Sequence, residues 1–116
     1  DDGSIAFLNT VPQQALVSLA DASRDQIISG AAESTKTALE NYPGSNPAAG
    51  LVFSCASRRA RLGTRAKEEV QLFRETVTGD IPVIGFYCFG EFCPLPSSPS
   101  PTSHNCTFVT LLIGES

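Results

Sequence analysis

Three arginines within four positions, Arg58, Arg59 and Arg61, follow an apolar run that ends at Cys55. A second apolar run, Ile81 to Gly90, ends on a carboxylate, Glu91. A guanidinium fork takes a carboxylate or phosphate through two parallel bonds, and a carboxylate takes an amine. Held side by side, the two would suit a zwitterion. Cys55 adds a thiol whose pKa neighbouring arginines and a helix N-terminus can lower. Tyr87 adds a hydroxyl, Gly90 a close backbone approach, and His104, the only histidine, a titratable ring. The candidate ligand-binding set is therefore Cys55, Arg58, Arg59, Tyr87, Gly90, Glu91 and His104. Each member also has a structural reading. Arg58 with Glu91 can be an ion pair tying loop to strand end, Cys55 a core thiol, Tyr87 a packed ring and His104 an exposed loop residue.

Catalysis and metal binding find little support. A thiol hydrolase built on Cys55 would have to use His104 as its base, and no acid is placed to orient that ring. There is no phosphate-cradling glycine loop and no Gly-x-Ser-x-Gly elbow. Cys88, Cys93, His104 and Cys106 are of zinc-ligand type, but their spacings of four, ten and one residue are not the paired knuckles of structural zinc. No enzyme activity, metal or cofactor is expected.

Two strands and the helix between them must position the candidate set. Ala48 to Cys55 and the Ile81 run both read as strands, and the stretch between holds a helix, roughly Arg65 to Thr78 with Thr64 as N-cap. Its buried stripe is Ala66, Val70, Phe73 and Val77. Strand, helix, strand makes a βαβ unit, a right-handed crossover in ≈ 98% of cases, so the two strands are parallel and the arginine turn meets Glu91 at one edge. Ligands of open α/β sheets bind outside such carboxyl ends. The Ile81 strand is rich in aromatic and β-branched residues, which predicts cover on both faces.

Upstream, Ser4 to Val11 and Ala15 to Leu19 read as two short strands joined at Pro12-Gln13-Gln14. A first helix spans Asp21 to Tyr42, with Ser23 and Gln26 as a capping box and Pro43-Gly44 as its stop. Downstream, residues 93–103 are a Pro/Ser-rich flexible loop. The last strand, Cys106 to Ile113, returns antiparallel to the Ile81 strand. The whole is one α/β domain, bordering on α+β, over residues 1–116: a mixed sheet of about five strands with two helices in the order β-β-α-β-α-β-β.

At 116 residues the chain has room for one core, and 41% hydrophobic with 17% charged residues is an ordinary globular balance. A net charge of −4 argues against a nucleic-acid partner, and no run approaches the ~20 apolar residues that span a bilayer. The chain opens on Asp1-Asp2-Gly3 and has no methionine, the look of a fragment excised from a longer protein. Four cysteines, two of them inside apolar strands, suit reduced thiols and a cytoplasmic setting.

At these same residues the chain resembles the FIST family, the F-box and intracellular signal transduction proteins, in its C-terminal domain. The likeness is carried by Leu51-Val52-Phe53-Ser54-Cys55-Ala56-Ser57-Arg58, by Leu62-Gly63, and by Pro82-Val83-Ile84-Gly85-Phe86-Tyr87-Cys88-Phe89-Gly90-Glu91. His104-Asn105 before the last strand, the opening Asp-Gly-Ser-Ile and the Val11-Pro12 turn extend it over nearly the whole chain. Cys88-Phe89 departs from the threonine-like residue and tyrosine of the family pattern, and the Pro/Ser loop looks like an insertion. The resemblance implies a sensory domain that binds a small, amino acid-like ligand, or a substrate-receptor scaffold of ubiquitin-ligase type. It further implies packing against an N-terminal FIST half.

Overall fold

The computed structural model describes residues 2–7, 10–77, 79–95 and 98–115. Helix α1 (Arg24–Glu40) starts where the sequence places its capping box: the Ser23 hydroxyl accepts from the Gln26 amide, and the Gln26 side chain accepts from the Ser23 amide. Its inward stripe, Ile27, Ile28, Ala31 and Thr35, is buried. Strand β1 (Ala49–Cys55) runs into a short helix α2 (Ala56–Leu62), a 3-10 turn at Gly63–Arg65, and helix α3 (Lys67–Thr76). The arginine turn is thus itself helical, and Thr64 sits within the 3-10 turn rather than capping α3.

Strand β2 (Val83–Cys88) pairs parallel to β1 in the register Gly50↔Val83 to Cys55↔Cys88. The chain then makes an antiparallel pair, β3 (Glu91–Leu95) with β4 (Ser98–His104), where an irregular Pro/Ser loop is expected. Alternating serine and proline offer few apolar side chains for a core, but β3 supplies a partner for each backbone position from Glu91 to Cys93. Strand β5 (Phe108–Ile113) closes the three-stranded sheet in the order β2-β1-β5. It is antiparallel as expected, but its hydrogen-bonded neighbour is β1, from Ala49↔Ile113 to Ser54↔Phe108, not β2. The hairpin is the reason: β3 carries the chain from the end of β2 past β1 to β5. β1 is therefore the central strand.

Among the described residues the expected N-terminal strand pair is absent. The described part of Ser4 to Val11 and all of Ala15 to Leu19 lack strand pairing, while Leu8 and Asn9 lie outside the described residues. The turn between them does form, with the Ala15 amide on the Pro12 carbonyl at 3.1 Å and Gln14 at φ 63°.

Both long helices lie on one face of the sheet. Ala31, Val52, Phe73, Val77 and Phe108 form the main core, and Ile27, Ile28 and Leu62 a second cluster near the arginines. Phe73 reaches β1 because Gly50 has no side chain: a Cβ there would lie 2.5 Å from the Phe73 ring. Gly85 makes the same allowance between strands, since a Cβ would run into the Val52 carbonyl. The expectation that β2 is covered on both faces fails. Ile84 is 71% and Phe86 62% exposed, on the face of the sheet opposite the long helices.

Candidate functional site

The βαβ geometry brings most of the candidate residues to the carboxyl edge of β1 and β2, in a different pairing from the expected one. Arg58, in the first turn of α2, points inward and is 6% exposed. Its Nε donates to Glu69 Oε1 at 2.7 Å and its Nη2 to the Ile27 carbonyl at 2.6 Å. The Phe108 ring lies 5.6 Å from its guanidinium carbon. Glu69, on α3, is fully buried and also accepts from the Ser54 hydroxyl at 3.1 Å and the Tyr87 hydroxyl at 3.0 Å. Burial and the nearby Glu69 charge push the Tyr87 phenol up to about 12.

Glu91 is buried by a separate network. It accepts from Thr107 Oγ1 at 2.9 Å and from the Cys88 thiol at 3.3 Å. Burial, and then that bond, raise the Cys88 pKa. Arg58 and Glu91 thus reach the same connection from two sides, Arg58 Nη1 lying 3.5 Å from the Cys106 carbonyl, but they are not paired with each other. Arg59 is exposed and stacks over the Tyr87 ring at 5.3 Å. Cys55 is 5% exposed, and the Ser57 hydroxyl bridges its sulfur and that of Cys106 at 3.0 Å each. Gly90 is exposed, with nothing within 4 Å of where a Cβ would stand. His104 is opposite Glu91 in the β3–β4 register, and its Nε2 lies 3.1 Å from the Cys93 carbonyl and 3.0 Å from Thr102 Oγ1.

The sequence reading missed Glu69, the residue around which this edge is built. Its signal lay in the α3 stripe. Ala66, Glu69, Phe73 and Val77 follow helical spacing as well as the set with Val70 does, and Val70 is 36% exposed. A carboxylate on a buried stripe requires a buried cation, and Arg58 is that cation.

Two cavities flank the edge. One of about 330 Å³ lies between α3 and β2, with apolar walls including Val70, Val83 and Phe108 and with Ser54, Glu69 and Tyr87 at one end. The other, about 250 Å³, lies among Ala22, Gln26, Ser57, Arg58, Arg61 and Cys106. Among the described residues no three His, Cys, Asp or Glu side chains gather as metal ligands, and every buried side-chain polar atom has a partner.

Residues 1–94 match the FIST C domain. The chain belongs to that family. The FIST C domain is associated with signal transduction. The Cys55-to-Arg58 and Gly85-to-Glu91 stretches lie within the match, and the β4–β5 part lies beyond it. No curated protein and no solved structure matches the chain. No helix among the described residues is long and apolar enough to cross a membrane.

Proposed function

We propose that this FIST C domain is a cytoplasmic signal-transduction module that works by docking to another protein and catalyses no reaction of its own. The outer face of the sheet supports this reading. Registered rows Ile84–Leu51–Leu111 and Phe86–Phe53–Val109 cross all three strands on the side away from the helices. Phe53 and Phe86 stack edge to face, with centroids 5.2 Å apart. Ile84 and Phe86, with Leu111 at 50% and Ile113 at 47% exposure, make one contiguous apolar surface, which is how interaction faces are built. The occupant is a second folded unit, with the N-terminal FIST half first among those the family resemblance implies. Titrating such a half into this chain should protect the Leu51, Phe53, Ile84 and Phe86 backbone from hydrogen exchange, and Phe86→Glu should abolish binding. Protection confined to the arginine edge would sink the proposal.

The cavity beside Arg58, Ser57 and Cys106 favours a second reading, a sensor for a small amino acid-like carboxylate. Arg58 is already committed to Glu69, and Arg61, half exposed and holding the Asp21 carboxylate, is the cation whose partner a ligand carboxylate could replace. A melting-temperature gain with one compound that disappears in Arg61→Ala would support the sensor. No gain across amino acids and small carboxylates would remove it. A ligand at ~100-fold excess over its Kd adds ≈ 2.7 kcal/mol, a shift of several degrees.

A further inference from the structure

The open edge of β2 and the N-terminal arm are each incomplete in a way that the other would complete. Parallel strands are ordinarily buried on both faces, yet β2 is the least covered strand of the three-stranded sheet. The Gly50 amide bonds the Pro82 carbonyl, so alternation turns the backbone groups of Val83, Gly85 and Tyr87 away from β1 toward the open edge. No charged side chain and no proline lies between Val83 and Cys88 to discourage another strand from pairing there. On the helix side of that edge lies the cavity of about 330 Å³, and on the outer side the Ile84 and Phe86 side chains.

The arm, residues 3–20, also carries no charged side chain. Leu16 is 100%, Val17 58% and Leu19 102% exposed, an apolar run with side chains on both of its faces. Such a strand suits an edge that is uncovered on both sides. The root of the arm is fixed: Arg61 holds the Asp21 carboxylate, which lowers the Asp21 pKa, and Arg24 Nε donates to the Arg61 carbonyl at 2.9 Å. Among the described residues the arm nevertheless adds no strand to its own sheet: that sheet holds β2, β1 and β5, and Ala15 to Leu19 pair with none of them.

We propose that two copies of this chain exchange arms, residues 15–19 of each adding as a strand to the open edge of the other's β2. Each chain carries both halves of the contact, so a two-fold pair satisfies both at once. The added backbone bonds hold the pair together, and the side chains alternate between the cavity and the Ile84–Phe86 side. This contact shares Ile84 and Phe86 with docking on the outer face, but its backbone bonds run along the open edge, so the Val83, Gly85 and Tyr87 amides tell the two apart.

Sedimentation velocity and hydrogen exchange of this chain, compared with Leu16→Asp/Leu19→Asp, test it. The unmodified chain should sediment at twice its mass, with Val83, Gly85 and Tyr87 amides whose protection rises with concentration. Both arm residues are fully exposed, so the double variant should stay folded, sediment at the chain mass and lose protection at those three amides alone. A monomeric unmodified chain overturns the proposal. So does a dimer that survives in the variant, or edge protection independent of concentration, which would place the arm on its own sheet.

Discussion

The carboxyl edge of the sheet and its outer face are built to different standards, although β2 contributes to both. At the edge, Arg58, Glu69, Tyr87, Glu91 and Cys88 bond to one another or to neighbouring backbone and hydroxyls. On the outer face, Ile84 and Phe86 stay largely exposed, and Phe86 stacks on Phe53 of the neighbouring strand. A buried charge left alone costs several kcal/mol, so the edge must be completed within the chain, whereas exposed apolar area is tolerated until a partner arrives. The residues with the richest chemistry are therefore the ones already used for folding, and the residues left for interaction are hydrocarbon.

The sharpest way to break this contrast is to remove one half of the buried pair. Glu69→Ala strands the Arg58 guanidinium, and Arg58→Ala strands the carboxylate. Either should cost about 3–5 kcal/mol. At roughly 4–8 °C per kcal/mol, that lowers the melting temperature by about 12 °C or more. Arg58→Met with Glu69→Leu should lose less than either single change. An Arg58→Ala variant that melts within a degree or two of the unmodified chain would show the edge to be open chemistry after all.

Two glycines give the next contrast. Gly85→Ala pushes a methyl group into the Val52 carbonyl and should cost about 1–3 kcal/mol in urea denaturation. Gly90→Ala meets nothing and should stay within about 0.5 kcal/mol. Equal effects would remove the argument that the β1–β2 approach depends on a missing side chain.

Tyr87 supplies a pH test. Its folded pKa, about 12, lies above the ordinary tyrosine value near 10. The neutral phenol is thus favoured in the folded chain. Its contribution is fully present below pH ~10 and is lost as pH rises toward ~12. Stability of the unmodified chain should fall more steeply across that window than that of Tyr87→Phe. Parallel curves would remove the Tyr87–Glu69 contact from the account.

Local signals were legible in the sequence wherever they were strong. Ser23 and Gln26 announce the start of α1, the βαβ spacing gives the parallel pair, and the same unit brings Cys55, Arg58, Tyr87 and Glu91 to one edge. What it hid was non-local. Glu69 as the partner of Arg58 depends on which of two equally spaced stripes α3 buries. The place of β5 beside β1 depends on a hairpin written in serine and proline. The residues of the arm favour strands, yet a strand forms only against a partner.

The smallest expected effect bears most directly on function. Phe86→Ser removes one of the two stacked phenylalanines of the outer face, where it is already 62% exposed. Exposed substitutions away from caps, buried charges and strained backbone usually stay within about 0.5 kcal/mol, so the melting temperature should move little. Hydrophobic-dye binding should drop, because Phe86 and its edge-to-face partner Phe53 form the centre of the apolar surface. A large loss of stability would mean that Phe86 belongs to the fold, and the outer face would then cease to be a candidate interface. Unchanged stability with reduced dye binding would mark Phe86 as a residue the fold does not need, the property expected of one kept for contact with another protein.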